Sequence, residues 1–346
     1  MGAGAMRLPS LFMFFTTQMK MMRKAFGALA CGLLLLCSAC GEKSKEPPKP
    51  QPTLAELRGD TAALRIALLP VLDCLPFYYA EASGICREQG LKRSEFLSFT
   101  AQWDADTALL GGTVDGAFMD MVRLHHYRGK GHKLIGVCAT DGRWALMTSP
   151  TLRAKKVDQL TGRMVAHSRL SASEWLLAES LRRGGVASKD VFSPQVNDFF
   201  LRLSMLRASQ VDAAIMPEPQ ASAAMVAGCR RLHVKGLDTL STGMLVMSDK
   251  VLKRQVGIDN LKALLRSYNA AVDTINKYGK DVCRDLLVSR YRLSSEAIDT
   301  LKLPRYRHAT LPSQRQLDAA RSYLQKSGRL GRKFESARLT DASFLP

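Results

Sequence analysis

The sequence lacks the short motifs by which many catalytic and nucleotide-binding sites are recognised. It has no Gly-x-Ser-x-Gly nucleophile elbow, no phosphate-binding loop and no Gly-x-Gly-x-x-Gly fingerprint. His125, His126 and His132 have no Cys/His spacing that suits a metal, and adjacent histidines on a helix point to different sides. We therefore expect no catalytic residue, no metal site, no cofactor and no enzymatic activity.

Acidic and aromatic residues are scarce compared with basic ones. The 346 residues include 50 Lys and Arg but 31 Asp and Glu, which gives a formal charge of +19, and 7% are aromatic. Residues 1–40 contribute four of these bases and no acid, so the remainder carries about +15. Such a balance can indicate nucleic acid, anionic lipid or an anionic ligand as partner. Because no basic run is interleaved with aromatics, we interpret the charge as a basic solvated surface and expect no nucleic-acid partner.

Cysteine is infrequent and widely spaced. Beyond residue 60 the chain has five cysteines: Cys74, Cys86, Cys138, Cys229 and Cys283. Their spacings match no metal cluster, and an odd number leaves at least one unpaired. We expect mostly buried free thiols, although an oxidising compartment could pair some of them.

Long apolar runs are missing as well. The apolar run 25–36, preceded by Arg23 and Lys24, is too short to span a bilayer stably and has the form of a signal-peptide core. The residues that follow, 36–41 (LCSACG), resemble a bacterial lipobox, in which signal peptidase II cuts before a cysteine that is then diacylated, typically with palmitate. This resemblance predicts a lipoprotein signal peptide over 1–39 and a lipidated N-terminal Cys40.

The segment after Cys40 cannot pack a core. Residues 42–52 carry four prolines and mixed charges, which is typical of a semi-extended tether. We expect residues 40–60 to hold a folded region at the membrane through the lipid anchor only.

Two stretches of the remaining chain repeat one another. Residues 114–119 (VDGAFM) and 211–216 (VDAAIM) align without a gap, 97 positions apart. Each follows a helix-like run and a polar turn, and the two apolar runs stop at Asp120 and Pro217. A buried parallel strand bounded by turn residues gives this pattern. Upstream, residues 65–70 and 163–168 each open a strand, a short loop and an amphipathic helix.

Two copies of one α/β plan predict two lobes with a site between them. Open α/β sheets bind ligands beyond the carboxyl ends of their strands, which is where the repeated runs stop. The similar runs 144–149 and 243–248 suggest the two crossings between lobes, and we place the first crossing at Ser149 and Pro150. Lobe one is predicted over 61–150 plus 240–346, and lobe two over 151–239.

Several short motifs, in order, resemble one family. They are Gly84 after the first helix, 110–115 (LGGTVD), 159–163 (QLTGR), 210–214 (QVDAA) and the following Glu218-Pro219. Together they are similar to the nitrate/taurine/sulfonate/thiamine-pyrimidine group of ABC-importer binding proteins, over residues 64 to about 330. The chain departs from the family at Ile85-Cys86, where Leu-Phe is preferred, and at Ser209, where Gly is preferred.

The resemblance implies an α/β protein with the two-lobed periplasmic binding protein type II fold, in which two mixed sheets flanked by helices enclose a ligand cleft. It further implies a monomer on the periplasmic side of a bacterial membrane, inner or outer. Such a protein captures a small organic solute (pyrimidine-, sulfonate- or nitrate-like) by hinge closure and delivers it to ABC permease subunits. The alternatives are an enzyme of the same fold, of the menaquinone-pathway or pyrimidine-synthesis type, or an envelope ligand sensor. The lipobox argues against the enzymes, which are cytosolic.

Four loops at strand ends should line the cleft: 70–75, 102–104, 168–174 and 216–218. The candidate ligand-binding residues are Leu72, Asp73, Gln102, Trp103, Asp120, Ser168, Ser171, Ser173 and Glu218.

Each candidate also has a structural interpretation. Asp73, Ser171 and Ser173 could cap helices, and Trp103 could pack under its loop. The carboxylates of Asp120 and Glu218 argue against a doubly anionic ligand and favour a nitrogen-bearing one. This holds unless both carboxylates are paired with bases of the protein, such as His167 or Arg169. We expect the repeated Asp115 and Asp212 to be turn residues that bind local backbone amides.

Overall fold

The computed structural model describes residues 63–91, 93–237, 240–334 and 338–346. The predicted signal peptide, Cys40 and the tether lie outside the described residues. Within the described ranges, no helix is both long and apolar enough to cross a membrane.

The described residues form nine strands in two mixed sheets. The strands are β1 Leu64–Leu68, β2 Ser94–Ser98, β3 Gly116–Asp120, β4 Leu134–Ala139, β5 Trp144–Thr148, β6 Val165–Ala166, β7 Ala213–Pro217, β8 Arg230–Leu232 and β9 Gly243–Ser248. One sheet has the order β2-β1-β3-β9-β4 and the other β6-β7-β5-β8. We call the parts of the chain that carry these sheets the first half and the second half.

Helices flank both sheets. They are α1 Leu75–Ala82, α2 Ile85–Glu88, α3 Gln102–Leu110, α4 Met121–Gly129, α5 Ala172–Arg183, α6 Phe199–Arg207, α7 Gln220–Val226, α8 Asp249–Leu252, α9 Gln255–Tyr278, α10 Arg284–Ser289, α11 Ser295–Thr300 and α12 Gln314–Lys326. The longest of these, α9, buries Leu261, Leu264, Leu265 and Tyr268 at helical spacing, which places one face of the helix in the core. Each large apolar side chain so buried contributes about 1.5–3 kcal/mol.

The sequence repeat corresponds to equivalent strands of the two sheets. The first copy contains β3, which runs parallel to β1, and the second contains β7, which runs parallel to β6. Asp115 accepts a hydrogen bond from the Arg65 amide and Asp212 accepts one from the Met164 amide, each at 2.9 Å. These amides belong to the neighbouring strand segment about 50 residues away in the chain, so the expectation of local turn amides was wrong.

The first crossing lies one strand earlier than predicted. β5 pairs antiparallel with β7 and β8, so the chain passes from the first sheet to the second over residues 140–143 rather than at Ser149 and Pro150. β9 pairs antiparallel with β3 and β4 in the first sheet. The runs 144–149 and 243–248 look alike because each becomes the antiparallel neighbour of a repeated strand.

All five cysteines of the described residues are buried free thiols, as expected. Burial raises the pKa of Cys86 to about 11 and the pKa of Cys138 and Cys283 to about 12. A thiol with such a pKa stays protonated at neutral pH and is chemically inert.

Candidate functional site

Asp120 connects the two halves at the carboxyl end of β3. Its Oδ1 accepts a hydrogen bond from the Arg123 amide at 3.0 Å, so it caps α4. Its Oδ2 accepts a hydrogen bond from the Ala172 amide at 3.0 Å, in the first turn of α5. One buried carboxylate therefore binds the N-termini of two helices that belong to different halves.

A buried ionic network lies behind Asp120. The Arg123 guanidinium pairs with Asp106 and donates to the Arg169 carbonyl at 3.2 Å. Gln102 donates through Nε2 to Asp106 at 2.9 Å and to the Phe118 carbonyl at 2.8 Å. Burial raises the pKa of Asp106 to about 6, against the opposing effect of the Arg123 charge. The network fixes Gln102 against the end of β3.

The three predicted serines form a second cluster at the start of α5. Ser171 caps the helix and donates to the Ser168 carbonyl at 2.7 Å, while Ser173 Oγ accepts from the Ser168 amide at 2.9 Å. The capping interpretation of Ser171 is therefore confirmed. The Arg202 guanidinium reaches this cluster by donating to Ser168 Oγ, and it also donates to the Ile215 carbonyl at 2.8 Å. Burial lowers the pKa of Arg202 to about 9.

Trp103 lies at the surface beside this network. It is 47% exposed and occupies the first turn of α3, not a loop as expected. The Arg123 guanidinium lies 5.9 Å from the centre of its ring. Because about half of the indole is exposed, Trp103 does not pack fully beneath the protein surface.

Leu72 and Glu218 meet on the other side of the strand ends. The Leu72 amide donates to the Glu218 carbonyl at 2.9 Å. The Glu218 carboxylate accepts hydrogen bonds from the amide and hydroxyl of Ser222 and pairs with Arg231. The Glu218 carboxylate is therefore bound by groups of the protein itself.

Neither His167 nor Arg169 pairs with the predicted acids through its side chain. Asp120 has Arg123 as its neighbouring base, and Glu218 has Arg231. Arg169 contributes its backbone carbonyl, and His167 Nδ1 is buried without a hydrogen-bond partner among the described residues. Burial lowers the pKa of His167, which favours the neutral ring.

Asp73 lies at the crossing between the two sheets. Its Oδ1 accepts from the Thr140 hydroxyl at 2.5 Å and from the Gly142 amide at 3.0 Å. The alternative that Asp73 caps α1 was wrong, because the N-cap of that helix is Cys74 and no side chain forms a cap hydrogen bond there. Burial raises the pKa of Asp73 to about 6. A Cβ at Gly142 or Gly243 would collide with this carboxylate, so glycine at both crossings makes room for it.

The two halves also contact each other away from Asp120. Glu174 at the start of α5 forms a bidentate ion pair with Arg329, with N–O distances of 2.5 and 2.9 Å. The neighbouring Trp175 stacks on Tyr323 of α12 with ring centres 6.2 Å apart. The two halves are therefore in contact both here and at Asp120, and we call this the closed arrangement.

Sequence reasoning located the strand ends but missed their charged partners. Arg123 and Arg202 were not predicted, although each is a base within an apolar helical run. A base in such a run either faces solvent or needs buried partners, and both of these are buried. A base within an apolar helical run is therefore the sequence pattern that could have identified Arg123 and Arg202.

The fold matches solved structures of two binding proteins and of an enzyme. The alkanesulfonate-binding protein SsuA from Xanthomonas axonopodis pv. citri, bound to MOPS, gives a TM-score of 0.71 at 17% identity over 82% of this chain and 99% of that chain. The nitrate-binding protein NrtA from Synechocystis PCC 6803 gives 0.66 at 14% identity over 79% and 83%. The desulfurization enzyme DSZB gives 0.59 at 16% identity over 82% and 97%.

These identities establish the fold alone. The α/β architecture expected from the sequence, the periplasmic binding protein type II fold with two mixed sheets flanked by helices, is confirmed. A comparison with curated protein sequences gives no match. The model of the NMT1/THI5 like family matches residues 72–277, which is more than half of the chain. The chain therefore belongs to the NMT1/THI5 like family.

Proposed function

We propose that this chain is an extracytoplasmic solute-binding protein that captures a small organic solute by hinge closure and delivers it to ABC permease subunits. The observation that carries the proposal is the Asp120 carboxylate, which binds helix α4 of the first half and helix α5 of the second. Polar groups of both halves thus meet at the strand ends, where α/β sheets bind ligands. The structural likeness to SsuA and NrtA, which are binding proteins for sulfonate and nitrate, supports this assignment.

The proposed site has two sides. Gln102, Trp103 and Asp120 belong to the first half, and Ser168, Ser171 and Ser173 to the second. Leu72, Asp73 and Glu218 extend the site along the same strand ends. Trp103 supplies area for a flat ring, while the carboxylate of Asp120 supplies directional hydrogen bonds. A solute bound between these groups would be enclosed when the halves close.

The proposed hinge consists of the two crossings. We place lobe one over residues 61–143 and 240–346 and lobe two over 144–239, so that each sheet belongs to one lobe. The crossings are joined by the Trp144 ring nitrogen, which donates to the Thr242 hydroxyl at 3.2 Å. Short adjacent segments of this kind can absorb the rotation of one lobe against the other.

The lipid anchor is a separate part of the proposal and rests on residues 36–41. Signal cleavage before Cys40 and its acylation would hold the monomeric protein at the periplasmic side of a bacterial membrane. Cys40→Ser should leave the unprocessed precursor and abolish labelling with radioactive palmitate. Normal labelling of that variant would contradict the anchor without affecting the solute site.

An enzyme of the same fold is the second candidate, because the desulfurization enzyme DSZB shares the architecture. A nucleophile for such a role would have to be a thiol near a strand end, such as Cys74 in the exit loop of β1. It is completely buried, and burial raises its pKa well above the usual value. A nucleophilic thiol needs a lowered pKa and access to substrate, so the binding function is favoured.

Thermal-shift screening tests the proposal directly. The purified protein is screened against sulfonates, pyrimidines, nitrate-like anions and amines, and we expect at least one class to raise the melting temperature. For a hit, Trp103→Ala should weaken binding about tenfold, which corresponds to about 1.4 kcal/mol. Phe192→Ala is the control, because Phe192 is also an exposed aromatic, at 66% exposure, but lies outside the proposed site. Equal affinities of the two variants would contradict the site.

A further inference from the structure

A groove lies between α5 of the second half and α12, which packs against α4 of the first half. Its volume is about 670 Å³, and small-molecule sites occupy roughly 300–1,000 Å³. On the α5 side it is lined by Trp175, Ala178, Glu179 and Arg182. These positions recur at three, four and seven residues, so they share one face of the helix. None of the described residues proposed for the solute site lines this groove, so it is a separate site.

The floor of the groove is apolar and aromatic. Leu176 and Leu237 line it and are buried, at 1% and 5% exposure. Trp175 and Tyr323 line it as well, and their rings are half-buried and stacked on each other with centres 6.2 Å apart. Aromatic side chains of this kind offer a large contact area to another ring.

The acid that lines the groove is already bound by bases of its own helix. Glu179 pairs with Arg182 at 2.8 Å and with Arg183 at 2.7 Å. The hydrogen bond from Arg182 lowers the pKa of Glu179 to about 2, so this carboxylate stays ionised and paired at neutral pH. The α5 side of the groove therefore presents no unpaired negative charge among the described residues that line it.

The α12 side adds positive charge. Arg315 and Lys326 line the groove and are exposed. The ion pair that α12 forms among the described residues joins Arg321 to Asp318 and does not include these two bases. Two bases without a carboxylate partner, beside an aromatic floor, complement a ligand that combines a ring with a negative charge.

We propose that the groove between α5 and α12 binds a small aromatic monocarboxylate, with its ring against Trp175 and Tyr323 and its carboxylate at Arg315 or Lys326. Because both halves line the groove, the bound anion stabilises the closed arrangement. By linkage, the anion and a solute in the cleft then raise the affinity of the protein for each other. The anion site itself is independent of the proposed solute-binding function, whereas the coupling rests on it.

Titration calorimetry of the full chain tests the site with two probes of similar shape, sodium indole-3-acetate and the uncharged indole-3-acetamide. We expect the wild type to bind the carboxylate at least tenfold more tightly than the amide. Combining Arg315→Gln with Lys326→Gln should weaken carboxylate binding at least tenfold and leave amide binding unchanged. Ala319→Phe, which fills the groove from α12, should weaken binding of both probes.

The matched control combines Lys302→Gln with Arg305→Gln. It removes the same two charges from exposed positions outside the groove, so it should bind indole-3-acetate as the wild type does. Equal affinity of the wild type for the two probes, or an equal loss in the control, would overturn the proposal. So would binding to phosphatidylglycerol vesicles without binding of indole-3-acetate, because the groove would then face a lipid surface.

Two further measurements distinguish the groove from the cleft. Trp103→Ala should leave indole-3-acetate binding unchanged, and a tenfold loss there would place the probe in the solute site and overturn the proposal. With a solute from the screen, saturating indole-3-acetate should raise solute affinity at least twofold in the wild type but not in the Arg315 and Lys326 double variant; no change would overturn the coupling. If no solute binds the wild type but the double variant loses the probe, the groove site stands and the proposed function fails.

Discussion

Substitution of Gly142 by alanine tests whether Asp73 holds the crossing between the sheets. The backbone of Gly142 is not in the left-handed region, so alanine is tolerated by the backbone itself. Its new Cβ, however, would collide with the Asp73 carboxylate. The expected loss therefore comes from the side chain of Asp73 alone.

The magnitude follows from the contacts that Asp73 would lose. To avoid the methyl group, the carboxylate must give up its hydrogen bond to the Thr140 hydroxyl or to the amide of residue 142. Overpacking costs about 1–3 kcal/mol and a lost hydrogen bond to a charged group about 1.5–3 kcal/mol. Since partial relaxation avoids part of both losses, we expect Gly142→Ala to lower the free energy of unfolding by about 2–4 kcal/mol.

Urea unfolding followed by circular dichroism measures this loss, and a double-mutant cycle assigns it. In the Asp73→Ala background the same glycine substitution should cost less than about 1 kcal/mol, because the colliding carboxylate is gone. Gly331→Ala is the control: a Cβ there meets nothing within 4 Å, so its effect should be close to zero. Wild-type stability of Gly142→Ala, or an equal loss in both backgrounds, would refute the placement of Asp73 at the crossing.

Three further predictions follow from the same contacts. Burial raises the pKa of Asp73 from 3.8 to about 6, so this group stabilises the fold fully below pH 3.8 and the gain is lost as the pH rises through 6. Asp73→Asn should therefore remove up to about 3 kcal/mol of pH dependence between pH 4 and 7, measured by urea unfolding at several pH values. Glu218→Gln should lower the free energy of unfolding by about 1–2 kcal/mol, because the ion pair with Arg231 is lost. A loss of solute-binding free energy larger than this would show instead that Glu218 contacts the solute directly. Glu174→Gln should lower the free energy of unfolding by less than about 1 kcal/mol, because Arg329 is partly exposed. It should still weaken solute binding, because the closed arrangement loses this contact. Unchanged solute affinity would contradict that role of Glu174.

The repeated strands could be predicted because their pattern is local. An apolar run between a polar turn and a terminal Asp120 or Pro217 is enough to identify β3 and β7 as buried strands. The position of the crossing between the two sheets could not be predicted from such a local pattern. β5 and β9 carry the same kind of apolar run, and nothing within such a run specifies the sheet that it joins.

The start of α3 and the charged partners of the site were missed for a related reason. α3 begins after Ala101, which provides no side-chain cap, so Gln102 and Trp103 had the appearance of a loop. Arg202 donates hydrogen bonds to the carbonyls of Val196 and Ile215, and backbone carbonyls leave no trace in a sequence pattern. The strand ends were predictable, whereas the contacts that fill the space between them depend on tertiary structure.

The central claim is that the two halves close on a solute, and small-angle X-ray scattering of the protein with and without its best-binding solute tests it most directly. The closed arrangement, in which Asp120 reaches the Ala172 amide and Glu174 reaches Arg329, should match the scattering of the solute-bound protein. The free protein should have a larger radius of gyration. Identical scattering at saturating solute, or conversion of the solute to a new compound detected by mass spectrometry of the same sample, would contradict capture by closure.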